Sequence, residues 1–390
     1  MYNKTDEELT KLGAVITTNE IKQEPELWQE AFENYIAKKN EIDNFIEKIT
    51  NEVTGRIRVI FTGAGSSAYV GDTAAPYLSE NGDRKHFVFE AIDTTKIVST
   101  PKQYLEANQP TILVSFARSG NSPESVATVD IAEKMVKKLW QLTITCAPEG
   151  KLAQHAESDD HNLVLLQPAL SNDKGFAMTG SFSCMLLTTL LVFDTKHTDE
   201  EKSQYVKQIS SMGREVIKRE NEIQKLVDLD FDRLVYLGSG ALGGLTREAQ
   251  LKVLELTAGQ KATVFDTSMG FRHGPKSFIN EKTLLFDFIS NDAYSRQYDI
   301  DILDEVAGDK IALSTMGVGV KSKQNFENDN FVFEEGTDSI PDGYMAFPDI
   351  MFAQTLALLT SIKVKNTPDT PSATGTVNRV VKGVTIHDFE

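Results

Sequence analysis

From residue 57 onward, short apolar and β-branched runs alternate with stretches whose apolar residues recur at helical spacing. Runs at 58–61, 87–90, 111–116, 141–146 and 162–166 read as strands, with helical segments between them. Residues 181–193 (SFSCMLLTTLLVF) are apolar on every side and too short to span a bilayer, which predicts a buried helix. A polar helical stretch at 203–227 leads into a second round of strands at 233–237, 262–265, 283–289, 310–314 and 330–333, and a last helix covers 347–363. Strand and helix in alternation imply a parallel sheet covered on both faces, with ligands at the carboxyl ends of the strands. Both rounds open with a strand running into a glycine turn, at 62–67 (TGAGSS) and 237–241 (LGSGA), an internal repeat of about 170 residues. Ahead of the first round, Leu27, Ala31 and Tyr35, then Ile42, Phe45 and Ile46, keep helical spacing among many charges. The expected organisation is therefore a helical arm at 1–50, α/β domains at 51–215 and 216–365, and a tail at 366–390 whose segment 377–386 is apolar enough to dock.

The loop after 111–116 carries the strongest chemical signal. Ala117, Arg118, Ser119, Gly120, Asn121 and Ser122 follow the strand, and Pro123 opens a helix. A strand-to-helix turn of this kind gathers backbone N–H groups, the positive end of a helix dipole and hydroxyl donors, which is what a phosphate needs. Ser122 also suits an N-cap with Pro123 in the first helical position, a role any such turn could require. The earlier turn, 63–68 (GAGSSA), matches a loose dinucleotide fingerprint if Ala68 replaces the third glycine, with Glu90 at the end of the next strand in the place of a ribose ligand. The adjacent hydroxyls of Ser66 and Ser67 suit a polar sugar better, and a second hydroxyl-rich turn would be superfluous for a nicotinamide.

Further along, Glu248, Lys252 and Glu255 fall at i, i+4 and i+7 on one helical stripe beside an apolar face of Leu245, Ala249, Val253 and Leu256. Spacing alone favours a solvated stripe with an ion pair. The downstream segment 269–276 (MGFRHGPK) raises the functional reading, because His273 lies between glycine and basic residues on a loop. A carboxylate and an imidazole are the groups that enolisation needs, one to take a proton beside a carbonyl and one to open a sugar ring.

Composition narrows the class. The formal net charge of −17 argues against nucleic acid or an anionic membrane as partner. The N-terminus (MYNKTDEELTK) lacks the apolar core of a signal peptide, so the expected location is the cytoplasm. Cys146 and Cys184 have no metal-binding or disulfide spacing and are expected to be buried free thiols; no metal site is expected.

The turns GAGSSAYVG and SFARSGNSPES, followed by EAQLKVLE and FRHGP, closely resemble the paired sugar isomerase (SIS) domains of phosphosugar enzymes, from about residue 45 to the end. The chain is similar to the isomerase half of glucosamine-6-phosphate synthase, and SFARSGNSPES with the tail TGTVNRVVKGVTIH resembles most the AgaS family. Members of that family are tagatose-6-phosphate ketose/aldose isomerases or galactosamine-6-phosphate deaminase/isomerases. The resemblance implies two tandem SIS domains, each a flavodoxin-like αβα sandwich with a parallel sheet of about five strands. It also implies a sugar phosphate substrate, no cofactor, a homodimer with the active site near the subunit interface, and a place in carbohydrate catabolism such as the breakdown of N-acetylgalactosamine.

Residue by residue, the resemblance implies that Ser67, with Ser66 beside it, meets the sugar and that Ser119 and Ser122 hold the phosphate. Arg118 and Ala117 stand where the synthase has Gln and Ser, so Arg118 is expected to complete an altered phosphate shell. Glu255 matches the proton-shuttling glutamate, with Lys252 and Glu248 as its companions. His273 matches the ring-opening histidine, which in the synthase comes from the neighbouring subunit, and Lys382 aligns with the lysine of the synthase's closing tail. The synthase's glutaminase domain has no counterpart here, so breakdown is the expected direction: galactosamine-6-phosphate to tagatose-6-phosphate and ammonia. The alternatives are a plain aldose/ketose isomerase and a non-catalytic phosphosugar sensor, although the acidic segment at 1–50 does not resemble a DNA-binding helix-turn-helix.

Overall fold

A computed structural model describes residues 1–156, 161–380 and 383–389. The chain divides into two compact units, each built on one sheet. The first comprises Leu27–Asp173, Gly180–Lys202 and Val377–Glu390; the second comprises Met1–Glu26, Lys174–Thr179 and Ser203–Thr376.

In the first unit, β1 (Ile57–Thr62), β2 (Phe87–Ala91), β3 (Thr111–Ala117), β4 (Leu139–Thr145) and β5 (Asn162–Leu166) form an all-parallel sheet in the order β2-β1-β3-β4-β5. Every residue of β3 is buried, as expected of a central parallel strand covered on both faces. Helix Gly180–Phe193 is buried at all positions but Val192, bearing out its all-round apolar pattern. Phe193 at its end meets Phe61, Phe87 and Phe89 edge-on at ring-centroid distances of 5.7–6.2 Å, joining the helix to β1 and β2.

The second unit repeats the plan with β6 (Arg233–Gly238), β7 (Ala262–Thr267), β8 (Thr283–Phe288), β9 (Ser314–Gly319) and β10 (Asn330–Val332), ordered β10-β9-β8-β6-β7. Read from the β7 edge this is the same succession, so both sheets have the doubly wound order 2-1-3-4-5. In that order the connections diverge between the first and third strands, and ligands bind at the carboxyl ends there. The last helix starts five residues before its expected first position, at Asp342, and runs to Lys363 through Pro348. It is apolar and long enough to cross a membrane by length and composition alone, yet 94% of its apolar window is buried, which marks a core helix.

Three features differ from the sequence expectation. The ninth strand is not 310–314 but Ser314–Gly319; Ile311 and Leu313 stay 52% and 38% exposed, whereas Val318 is fully buried. Gly317 and Gly319 pack closely on Ile289, a Cβ there lying 2.5 Å from its Cδ1 or 3.2 Å from its carbonyl oxygen, and a strand holding two glycines lacks the β-branched signature. The N-terminal segment is helical, with helices Asp6–Lys11, Val15–Lys22 and Glu24–Glu52, but its first part is bonded into a sheet unit. Asp369 accepts from the Ile16 and Thr17 amides at 3.1 and 2.8 Å, and Tyr2 Oη lies 2.7 Å from Thr355 Oγ1, so Met1–Glu26 is knitted into the second unit. In the tail, Val377 and Val384 remain exposed and docking falls to Arg379 and to Phe389, which packs against the first unit's core. Both cysteines are buried free thiols.

Candidate active site

Two serine turns stand side by side at the carboxyl ends of β1 and β3, the neighbouring strands where the first sheet's connections diverge. After β1, Gly63 is required by close approach, because a Cβ there would lie 2.6–2.7 Å from Ser67. The Gly63 carbonyl accepts from the Thr94 amide at 2.8 Å and the Thr94 hydroxyl at 3.1 Å, and Gly65 takes φ 58° before the helix Ser66–Asn81 begins. Ser66 and Ser67 are thus fixed, buried, in that helix's first turn. Glu90, the ribose ligand of the dinucleotide reading, is instead taken up by Arg58, which donates to both its oxygens at 2.9 and 2.7 Å. The dinucleotide reading loses its acidic partner.

The second turn is braced from the side. Gly120, at φ 66°, lies against Gly150, where a Cβ would come within 2.5 Å of the Ser119 carbonyl oxygen. Leu152 donates its amide to Gly120 O at 3.2 Å, and Lys151 donates to Asn121 Oδ1 at 3.2 Å. Ser122 occupies the N-cap position of helix Pro123–Met135 but makes no side-chain capping bond, contrary to the structural role its sequence position suggests. Its half-buried hydroxyl is not spent on the helix. Ser119 Oγ accepts from the Asn121 amide at 3.4 Å, which leaves its proton to donate. Arg118 is buried and donates from Nη2 to the Arg379 carbonyl at 2.7 Å.

The corresponding place in the second sheet is already filled by an anion of the chain's own. Asp299 Oδ2 accepts from the Ser290 amide at 2.9 Å, just beyond β8, and its other oxygen accepts from the Ser239 hydroxyl, just beyond β6. Nearby, Ser268 donates to Asp287 Oδ2 at 3.0 Å. Burial raises the pKa of Asp299, and burial together with the charge of Asp299 holds Asp287 well above the usual carboxylate range. The two repeats have therefore diverged: the first presents hydroxyls at this point, whereas in the second the donors of Ser239 and Ser290 are already taken by Asp299.

Helix Gly240–Leu256 carries the charged stripe, and it is not solvated. Lys252 is fully buried, with Nζ 3.0 Å from Glu248 Oε1, 2.7 Å from Glu255 Oε2 and 3.2 Å from the Met178 carbonyl oxygen. Glu248 is likewise buried, whereas the Glu255 side chain keeps 22% of its exposure. Burial by itself would lower the Lys252 pKa, but the two carboxylates outweigh it and raise it, so the ammonium stays charged. The array is two carboxylates on one buried cation, with its open end at Glu255. Such an oxygen can take a proton from carbon and return it.

His273 follows the short turn Gly270–Arg272 and is exposed. Arg272 and Lys276, its basic neighbours, are both drawn to Glu305, Arg272 Nε at 2.6 Å. Lys382 lies outside the described residues. The candidate residues thus form one group in each unit: Ser66, Ser67, Arg118, Ser119 and Ser122 in the first, and Glu248, Lys252 and Glu255 in the second. Asn121, Thr94 and Arg379 were not singled out in the sequence. Asn121 stands within the quoted turn, whereas Thr94 and Arg379 carry no local pattern.

The doubled sheet of order 2-1-3-4-5 carries hydroxyl turns at its first divergence point, and residues 54–193 match the SIS domain family. The C-terminal domain of glucosamine-fructose-6-phosphate aminotransferase from Francisella tularensis has the same fold, with a TM-score of 0.71 at 18% identity over 89% of this chain and 94% of that one. More specifically, the chain belongs to the AgaS family. It is 40% identical over 376 residues, 96% of each sequence, to the D-galactosamine-6-phosphate deaminase AgaS of Escherichia coli. The crystal structure of the tagatose-6-phosphate ketose/aldose isomerase from Escherichia coli superposes with a TM-score of 0.86 at 37% identity, covering 96% of each chain.

Proposed function

We propose that this chain is an amino sugar phosphate deaminase/isomerase that converts galactosamine-6-phosphate and water to tagatose-6-phosphate and ammonia. The observation that carries the reading is the buried Glu248-Lys252-Glu255 array, which leaves one partly exposed carboxylate beside a fixed cation. Ser119, Ser122, Arg118 and the turn's backbone hold the phosphate, and Ser66 and Ser67 meet sugar hydroxyls. His273 opens the ring. Glu255 then takes the C2 proton to give an enolamine and delivers it to C1; water adds to the resulting C2 imine and ammonia leaves. The phosphate contacts supply binding energy remote from the reacting carbons, which holds C1 and C2 still for the proton transfer.

The chain acts as a cytoplasmic homodimer in which His273 serves the partner's site, in the breakdown of amino sugars. The state of β7 supports an interface on that side: none of its six residues is buried, Phe265 and Met269 are 41% and 46% exposed, and the His273 loop follows directly.

The plain aldose/ketose isomerase is the second reading, favoured by the similarity to the Escherichia coli isomerase structure. Supplying tagatose-6-phosphate without ammonia separates the two. The deaminase leaves it unchanged over a period in which galactosamine-6-phosphate is consumed; formation of galactose-6-phosphate at a comparable rate, followed by NMR, overturns the proposal.

A further inference from the structure

Arg379 belongs to the tail, 261 positions from Arg118, yet the two arginines meet at the phosphate turn. Arg118 donates to the Arg379 carbonyl, while the Arg379 guanidinium donates from Nε to the Asp173 carbonyl at 2.9 Å and from Nη2 to Asn172 Oδ1 at 3.3 Å. Asp173 is in turn immobilised, fully buried, by the Ser181 amide on its Oδ2 at 2.9 Å. The Cys146 thiol, at the end of β4, lies within the electrostatic reach of Arg118, Arg379 and Asp173, so the three groups form one cluster beneath the turn. The tail is thereby tied at Arg379 to Asn172 and Asp173, and the Arg379 carbonyl in turn holds the guanidinium of Arg118, the residue before Ser119.

We infer that Arg379 is a positioning residue for phosphate recognition: its side chain anchors the tail on Asn172 and Asp173 so that its carbonyl orients Arg118 toward the phosphate shell. An arginine held by a backbone carbonyl has fewer rotamers to lose when an anion arrives. The inference rests on the phosphate reading of the 118–122 turn. It makes the tail a determinant of affinity for the phosphate end of the substrate, separate from any part it has in closing the site.

The test uses the full-length protein with inorganic phosphate as the probe, binding being read from the phosphate-dependent rise in melting temperature and from competitive inhibition of turnover. Arg379→Ala is expected to weaken phosphate binding and raise the KM for galactosamine-6-phosphate by about tenfold each, with kcat within about twofold, because one charge-oriented contact and not the proton transfer is lost. Arg379→Lys, which keeps a donor for the Asp173 carbonyl, recovers most of both. Unchanged phosphate binding in Arg379→Ala, or a loss shared equally by kcat and KM that lysine does not rescue, overturns the inference and leaves the phosphate turn standing. A wild-type protein that binds no phosphate, or whose binding is untouched by Ser119→Ala with Ser122→Ala, overturns the turn's assignment and the inference together.

Discussion

Glu255→Gln is expected to lower kcat by about 10²–10⁴-fold while substrate affinity stays within a few-fold. The amide keeps the shape of the carboxylate but cannot accept the C2 proton, so the loss falls on the chemical step. Its position supports this split. Glu255 holds one end of a buried ammonium and keeps 22% exposure, whereas Glu248, on the same lysine, is sealed and has no route to a substrate. Glu248→Gln therefore loses far less turnover than Glu255→Gln, although both remove one negative charge from the same cation. Rates measured at saturating galactosamine-6-phosphate, with binding measured separately, check the pair. Near-wild-type turnover in Glu255→Gln rejects it as the base.

Lys252→Met is expected to cost about 3–5 kcal/mol of stability, since it leaves Glu248 buried with its partner removed. A charge in that position can only take up a proton or open the structure to water, and both disfavour the native state. The double change Glu248→Gln with Lys252→Met removes both charges of the sealed pair. It should be clearly more stable than the lysine variant alone, because it leaves no uncompensated charge at the sealed Glu248 position. Chemical denaturation of the three proteins gives the answer. A single variant no less stable than the double one would mean that the Glu248 contact contributes nothing.

The reason this array could be found in the sequence but not understood there is instructive. Periodicity placed Glu248, Lys252 and Glu255 on one stripe, and a stripe of charges is ordinarily wet. What seals it includes the segment Lys174–Thr179, whose Met178 carbonyl meets Lys252 from more than seventy positions upstream. Nothing local announces that cover. Strands β1, β3, β6 and β8 were readable because they are mostly apolar runs, the mark of strands buried on both faces. β9 was displaced because its glycines, packed on Ile289, erase that mark. The serine turn after β3 was readable as a phosphate cradle, but its bracing by Gly150, Lys151 and Leu152 and its tie to Arg379 join positions distant in the chain. The divergence of the second repeat was likewise hidden: Ser239 and Asp299 are sixty positions apart, and only the sheet order brings them to one point.

The nitrogen balance of turnover tests the central claim most directly. Ammonia is followed with a coupled assay while the protein is offered galactosamine-6-phosphate, glucosamine-6-phosphate and their N-acetylated forms. One ammonia is expected per galactosamine-6-phosphate consumed, released fastest from that sugar and not at all from the N-acetylated forms. Consumption of galactosamine-6-phosphate without ammonia, or no consumption of any amino sugar phosphate, would contradict it.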